Sequence, residues 1–156
     1  MKKKTTKSRF RGSSDHVLDA KGRLNIPSRF KKVLSEQYSE DLVVTRWESC
    51  LKIYPAECWE VQEDKLLEKA EANPELERHI RYVVGGVTEC TLDKQGRILL
   101  PAVERKRFHI AKKVVLQGMV DHFEVWDQEA WQRETDSAQQ DFGAYRASMA
   151  TQQNGT

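Results

Sequence analysis

The sequence predicts an α+β fold built from two copies of one strand–turn–strand–helix unit. Three observations predict it. Residues 17–27 align without gaps on residues 91–101, an offset of 74. A second block, Leu42-Val43-Val44 followed by residues 51–59, aligns on Val114-Val115-Leu116 followed by residues 123–131, an offset of 72. In both copies a turn sequence joins two short apolar runs and the second run ends at a proline, Pro27 or Pro101. Two blocks in the same order, with a two-residue length change between them, mark an internal duplication.

Each unit opens on a short strand (Val17, Leu18; Thr91, Leu92) that runs into Asp-x-x-Gly-Arg at 19–23 and 93–97. The Asp carboxylate can accept hydrogen bonds from backbone groups just ahead of it, and the Gly can take a positive φ, which is hairpin-turn chemistry. The return strand (Leu24, Ile26; Ile98, Leu100) ends at the proline, whose fixed φ and missing N–H suit the first turn of a helix. Helices are therefore predicted over 28–34 and 102–108. A second strand pair follows in each half, 42–45 with 51–54 and 114–117 with 123–126, joined by loops at 46–50 and 118–122. A helix then starts near Ala56 or Gln128.

Between the copies, Trp59, Leu66, Leu67 and Ala70 recur at about three and four residues, so 57–81 reads as helical. Asn73-Pro74 breaks it, a second helix carries Leu76, Ile80 and Val83, and Gly85-Gly86 turns the chain back. This helix pair is predicted to pack on the β core. From residue 136 the chain is polar and is predicted to fray. The expected organisation is a basic flexible arm (1–9), a first unit (10–59), a helical connector (60–86), a second unit (87–135) and a polar, mobile tail (136–156).

With 156 residues, 38% hydrophobic and 32% charged, the chain suits one or two small soluble domains, whose modest core makes self-association a reasonable expectation. The longest apolar runs, such as 98–100 and 114–116, fall far below the roughly 20 residues of a membrane-spanning helix. No apolar signal core follows the basic start, so a cytoplasmic location is expected. Cys50, Cys58 and Cys90 lack paired metal-ligand spacing and read as reduced thiols.

The net charge of +2 hides a partition. Six of the 26 basic residues (Lys2, Lys3, Lys4, Lys7, Arg9, Arg11) lie in the first eleven positions with no acid, leaving 20 basic against 24 acidic residues, a net of −4. That balance excludes a uniformly polyanion-binding body, so nucleic-acid contact must come from local patches. Two exist: Lys21, Arg23, Arg29, Lys31 and Lys32 around the first turn, and Arg105, Lys106, Arg107, Lys112 and Lys113 after the second.

Asp-x-x-Gly-Arg sets a guanidinium just past a tight turn, where it can fork onto phosphate or guanine. Arg23 and Arg97, flanked by Lys21 and Lys94, are the candidate DNA-contacting residues; Asp19, Gly22, Asp93 and Gly96 form the turns; Arg29, Arg11 and Lys31 are candidate auxiliary phosphate contacts. The same Asp and Arg could instead pair to hold each turn, and the two roles are compatible. The basic arm could follow a phosphate backbone or serve only as a solubilising extension. Trp47, Trp59, Trp126, Trp131, Tyr54 and Phe123 read as core or interface packing.

Signatures of catalysis are absent: no Gly-rich phosphate loop, no His-Glu-x-x-His and no Gly-x-Ser-x-Gly. His16, His79, His109 and His122 are scattered, so neither a metal nor a cofactor is predicted. Asp121-His122 near Asp127 suggests an acid–base site only superficially, since the first copy has Ser49-Cys50 there.

The motifs together, Phe10-Arg11-Gly12, residues 16–27 from His16 through Asp19-Ala20-Lys21-Gly22-Arg23 to Pro27, Leu51-x-Ile53-Tyr54-Pro55-x-x-x-Trp59, Asp93-Lys94-Gln95-Gly96-Arg97 to Pro101, and Phe123-Glu124-Val125-Trp126-Asp127, resemble the MraZ family over about 10–131. The resemblance implies two swapped-hairpin β units of the AbrB-like (SpoVT-AbrB) class that form a pseudo-dimeric small β-barrel with packed helices. It implies a homo-oligomeric ring and a cytoplasmic, nucleoid-associated transcriptional regulator. Such a regulator binds short direct repeats in double-stranded promoter DNA upstream of the bacterial division and cell-wall gene cluster, its own gene included, and usually represses it. Lys21 and Arg23, with Lys94 and Arg97, carry over as DNA-contacting positions. Family chains usually begin at the Phe-x-Gly, which leaves residues 1–9 outside the resemblance. A competing expectation, kept open by the acidic body, is a structural or protein-interaction ring that recruits division factors.

Overall fold

The computed structural model describes residues 7–154; residues 1–6, most of the predicted basic arm, and 155–156 lie outside the described residues. The first copy supplies β1 (Ser13–Val17), β2 (Arg23–Asn25), α1 (Ser28–Gln37), β3 (Asp41–Arg46) and β4 (Leu51–Pro55). The connector is α2 (Ala56–Ala72), a 3₁₀ turn (Pro74–Leu76) and α3 (Glu77–Gly85). The second copy repeats the order with β5 (Thr88–Thr91), β6 (Arg97–Leu99), α4 (Ala102–Arg107), β7 (Lys113–Gly118) and β8 (Phe123–Asp127), followed by α5 (Gln128–Gln140) and α6 (Phe142–Asn154).

Strand pairing converts the duplication into a pseudo-two-fold molecule. The large antiparallel sheet runs β1-β7-β8-β4-β3-β5, and β2 pairs only with β6. Exchanging the copies maps this order onto itself. The registers obey the same exchange: Val17 faces Lys113 and its repeat counterpart Thr91 faces Asp41. Two self-paired positions mark the axis, Leu24 opposite its own counterpart Ile98 and Lys52 opposite Glu124. Each copy therefore lends its first strand to the other, β1 to β7 and β5 to β3.

Two expectations change. The turns at 19–23 and 93–97 form, but the strands on either side do not pair into hairpins, because β1 and β2, and likewise β5 and β6, leave their turn for different sheets. Nor is there a closed barrel: β1 and β5 are the edges of an open sheet.

One continuous core fills the space between sheet, ribbon and helix α1, closed on the other side by Ile110 just after α4. Leu24, Ile26, Phe30, Leu34, Leu42, Leu51, Ile53, Ile98, Leu100, Val114, Leu116 and Phe123 are all buried within it. Phe10 joins this core, edge-on to Phe30 and tilted on Phe123, each at 5.3 Å between ring centroids. It is held by a pair of backbone hydrogen bonds with Val120. Pro27 and Pro101 precede their helices with φ −58° and −57°, and the Pro27 carbonyl accepts from the N–H groups of Phe30 and Lys31. The break at Asn73-Pro74 is present, with the Asn73 side chain accepting from the Glu75 N–H.

The connector covers the outer face of the sheet through a second cluster of Val43, Tyr54 and Trp59, against which Leu66, Val83 and Val87 pack. Its counterpart α5–α6 behaves differently. The segment predicted to fray is helical, and Phe142 and Tyr145 on α6 touch each other while staying 59% and 57% exposed. Of the aromatics expected in the core, Tyr54, Trp59 and Phe123 are buried, Trp126 and Trp131 are half-buried, and Trp47 is exposed under the Lys52 ammonium, 3.7 Å from its ring centre.

The copies diverge at one more place. Arg46 of β3 forks onto Glu104 of α4 through contacts of 2.9–3.1 Å and donates to the Tyr82 carbonyl at 3.1 Å. The repeat counterparts are Gly118, against which the Arg11 backbone lies, and Phe30. A buried ion pair on one side thus replaces an aromatic plug on the other.

Candidate nucleic-acid interface

The two turns are superposable in their chemistry. Asp19 Oδ1 accepts from the N–H groups of Lys21 (3.0 Å) and Arg23 (2.9 Å), and Oδ2 accepts from Arg23 Nε at 2.5 Å. Asp93 repeats this with Gln95 N–H (2.8 Å), Arg97 N–H (2.9 Å) and Arg97 Nε (2.9 Å). Gly22 and Gly96 take φ of 84° and 75°, a region open to glycine at no steric cost, and each N–H returns to the Asp carbonyl at 3.0 Å. Backbone donors, led by the Arg23 N–H, hold the Asp19 carboxyl down at about 2; those led by the Arg97 N–H lower Asp93 in the same way. Both carboxylates are therefore ionised throughout the neutral range and orient their arginines.

Each Asp engages the Nε edge of its own turn's guanidinium, which leaves the terminal nitrogens on the opposite side of that contact. The Arg23 side chain is 33% exposed and that of Arg97 22%, the latter also leaning to within 3.9 Å of Asp19 Oδ2.

The pseudo-two-fold brings the turns together. Because β2 and β6 pair about Leu24 and Ile98, the turns of both copies flank one ribbon, whose inner face (Leu24, Ile98) is buried. Its outer face carries Arg23 opposite Leu99 and Asn25 opposite Arg97. The turns are tied across the axis: the Gly22 carbonyl accepts from the Leu100 N–H (3.1 Å) and the Gly96 carbonyl from Ile26 N–H (3.0 Å).

Two further cations join from the helices. Lys31 of α1 lies over Gly96 and Arg105 of α4 over Gly22, so close that an added Cβ would sit 2.7 and 2.4 Å from their ends. Arg105 is braced by donating from Nε to the Leu100 carbonyl at 3.1 Å. The sequence marks Lys31 as a candidate auxiliary contact and shows Arg105 only as part of the basic run 105–113. The offset of 74 makes Arg105 the counterpart of Lys31, a signal present in the repeat itself. Lys21 and Lys94 are exposed beside the turns. The other auxiliary candidates lie at the start of β1 instead: Arg29 donates to Ser14 Oγ at 3.3 Å, and the Arg11 backbone abuts Gly118.

His122 serves packing. It is buried, stacks on Tyr54 at 4.4 Å between ring centroids, and pairs through Nδ1 with Asp121 Oδ1 at 2.7 Å. Among the described residues no cluster of three or more His, Cys, Asp or Glu could hold a metal, and no helix is long and apolar enough to cross a membrane.

Comparison with known proteins converges on one group. The family model described as "MraZ protein, putative antitoxin-like" matches twice, over residues 9–81 and 83–153. The chain is similar to proteins named Transcriptional regulator MraZ. It is 43% identical to that of Syntrophobacter fumaroxidans over 122 residues, covering 78% of this chain and 81% of that protein. It is 40% identical to that of Desulfitobacterium hafniense, over 78% and 83% of the two chains. With that of Shewanella denitrificans the identity is 39% over 83% and 87%.

Proposed function

The chain belongs to the MraZ family, and from that premise we propose that it is a DNA-binding transcriptional regulator whose reading head is the β2–β6 ribbon with its two Asp-x-x-Gly-Arg turns. One observation carries the reading: two aspartate-held guanidiniums from opposite copies, with Lys31 and Arg105 beside them, share one exposed ribbon on an otherwise net-acidic body. A two-stranded ribbon fits the major groove of B-DNA, and arginine forks suit guanine and phosphate. Arg23, the more exposed of the pair, is the principal contact together with Lys21; Arg97 and Lys94 are its partners.

In this reading the targets are direct repeats in the promoter of the division and cell-wall gene cluster, the gene for this protein included, and the effect is repression. The exchange of first strands between copies supports the AbrB-like swapped-hairpin description. A homo-oligomeric ring would align several ribbons on successive repeats. Self-association is supported by the apolar groove of Leu66, Leu76, Ile80 and Val83 between the connector helices, and by the exposed Phe142, Tyr145 and Met149 of α6. The competing reading, a ring that recruits division factors as proteins, is separated by pull-down with nuclease treatment, which only a protein–protein interaction survives.

The direct test is a nuclease footprint of the purified protein on DNA upstream of its own gene. Protection at regular intervals, lost with Arg23→Ala, is the expected result. A folded protein that protects nothing there, or an Arg23→Ala variant with an unaltered footprint, removes the ribbon from consideration as the reader.

A further inference from the structure

The ribbon is symmetric in backbone but not in chemistry. The pseudo-two-fold exchanges Arg23 with Arg97, which are alike, and Asn25 with Leu99, which are not. Asn25 and Leu99 both point to solvent, Leu99 with 55% of its surface exposed, while the residues between them on the strands, Leu24 and Ile98, are buried. One end of the outer face therefore presents the cross-strand pair Asn25–Arg97 and the other the pair Leu99–Arg23. The two ends lie two residues apart, about 7 Å or roughly two base-pair steps.

We propose that Asn25 and Leu99 are base-reading determinants that give each protomer an asymmetric recognition element. This rests on the ribbon being the DNA reader. A carboxamide offers one donor and one acceptor, matching the N6 and N7 edge of adenine, whereas a leucine side chain offers only apolar contact suited to the thymine methyl. Each sits beside a guanidinium fork suited to guanine. One end then favours an adenine next to guanine and the other a thymine next to guanine. A dyad-symmetric ribbon would favour a palindrome, since symmetry of the protein is mirrored in its site. This ribbon distinguishes the two directions along the duplex, so protomers repeated in one orientation read repeats in one orientation. The flanks reinforce the polarity, with Ala20-Lys21 at one turn and Lys94-Gln95 at the other.

The experiment is selection from random-sequence duplexes, followed by titration, with the unaltered protein, Asn25→Leu, Leu99→Asn and the truncations Asn25→Ala and Leu99→Ala. All four substitutions are on the exposed face, and matched thermal unfolding midpoints verify folding. The unaltered protein is expected to select a non-palindromic element. Asn25→Leu should move the preference at one base pair beside a guanine from adenine towards thymine. Leu99→Asn should make the selected element more palindromic, and each truncation should erase discrimination at one position. Each change is expected to be about 5- to 150-fold in relative affinity, the equivalent of about 1–3 kcal/mol per base contact. Specific binding with the same selected sequence in all four variants overturns this inference and leaves the ribbon's DNA role standing. Absence of specific DNA binding by the unaltered protein overturns the regulator reading itself.

Discussion

Replacing each turn glycine by alanine should destabilise the two copies unequally. At both positions the backbone has a positive φ, and an L side chain there costs about 1–2 kcal/mol. The neighbours then differ. At Gly22 the new Cβ falls 2.4–2.6 Å from the Arg105 guanidinium, which is tethered to the Leu100 carbonyl, so displacement breaks a charged hydrogen bond worth about 1–2 kcal/mol at this half-buried site. At Gly96 the nearest atom is Lys31 Nζ at 2.7 Å, the far end of a flexible chain that swings aside. Gly22→Ala should therefore cost about 2–4 kcal/mol and Gly96→Ala about 1–2. Guanidinium chloride unfolding, with midpoints compared at a common slope, measures both. A Gly96→Ala protein as destabilised as Gly22→Ala, or a pair of variants no weaker than the parent, would refute this account of how the turns are braced.

Truncating Arg46 to alanine should destabilise the protein by about 3–5 kcal/mol, because it strands the Glu104 carboxylate, 5% exposed, with only Arg107 Nε at 3.6 Å; replacing both residues should recover part of the loss in the same unfolding assay. Acid titration probes the turns. The Asp19 pKa is depressed in the folded state, so its contribution is complete above about pH 3.8 and disappears as pH falls through about 2; thermal melts of Asp19→Asn should lack this dependence. Burial likewise lowers His122, against the opposing pull of Asp121, so its neutral form favours the fold above pH 6.5 and that contribution is lost as pH drops below it. Melts of His122→Gln should be flatter over that lower range.

Local chemistry was legible in the residues themselves, whereas pairing between the copies was implied only by the family resemblance. The Asp-x-x-Gly-Arg turns, the prolines before α1 and α4 and the break at Asn73-Pro74 all depend on residues within a few positions of each other, and all are present. The duplication also announced that equivalent residues would occupy equivalent surroundings. It did not say which copy's strand each edge would take. β1 (Ser-Ser-Asp-His-Val) carries no apolar alternation that would choose between β2 and β7, and only the three-dimensional exchange decides. The Arg46–Glu104 pair was invisible for a different reason: its members are 58 residues apart and occupy non-equivalent positions of the two copies, so neither periodicity nor the repeat connects them. The convergence of Arg23, Arg97, Lys31 and Arg105 follows from the same exchange, which folds two separate basic runs into one ribbon.

Fluorescence anisotropy of a labelled promoter duplex, titrated with this protein and with Arg23→Ala at several salt concentrations, decides whether the paired turns read DNA. Affinity should fall steeply with salt as phosphate contacts release counterions, and Arg23→Ala should bind about 5- to 150-fold more weakly per ribbon engaged. Salt-independent binding, or a folded Arg23→Ala protein with undiminished affinity, would contradict that role of the turns.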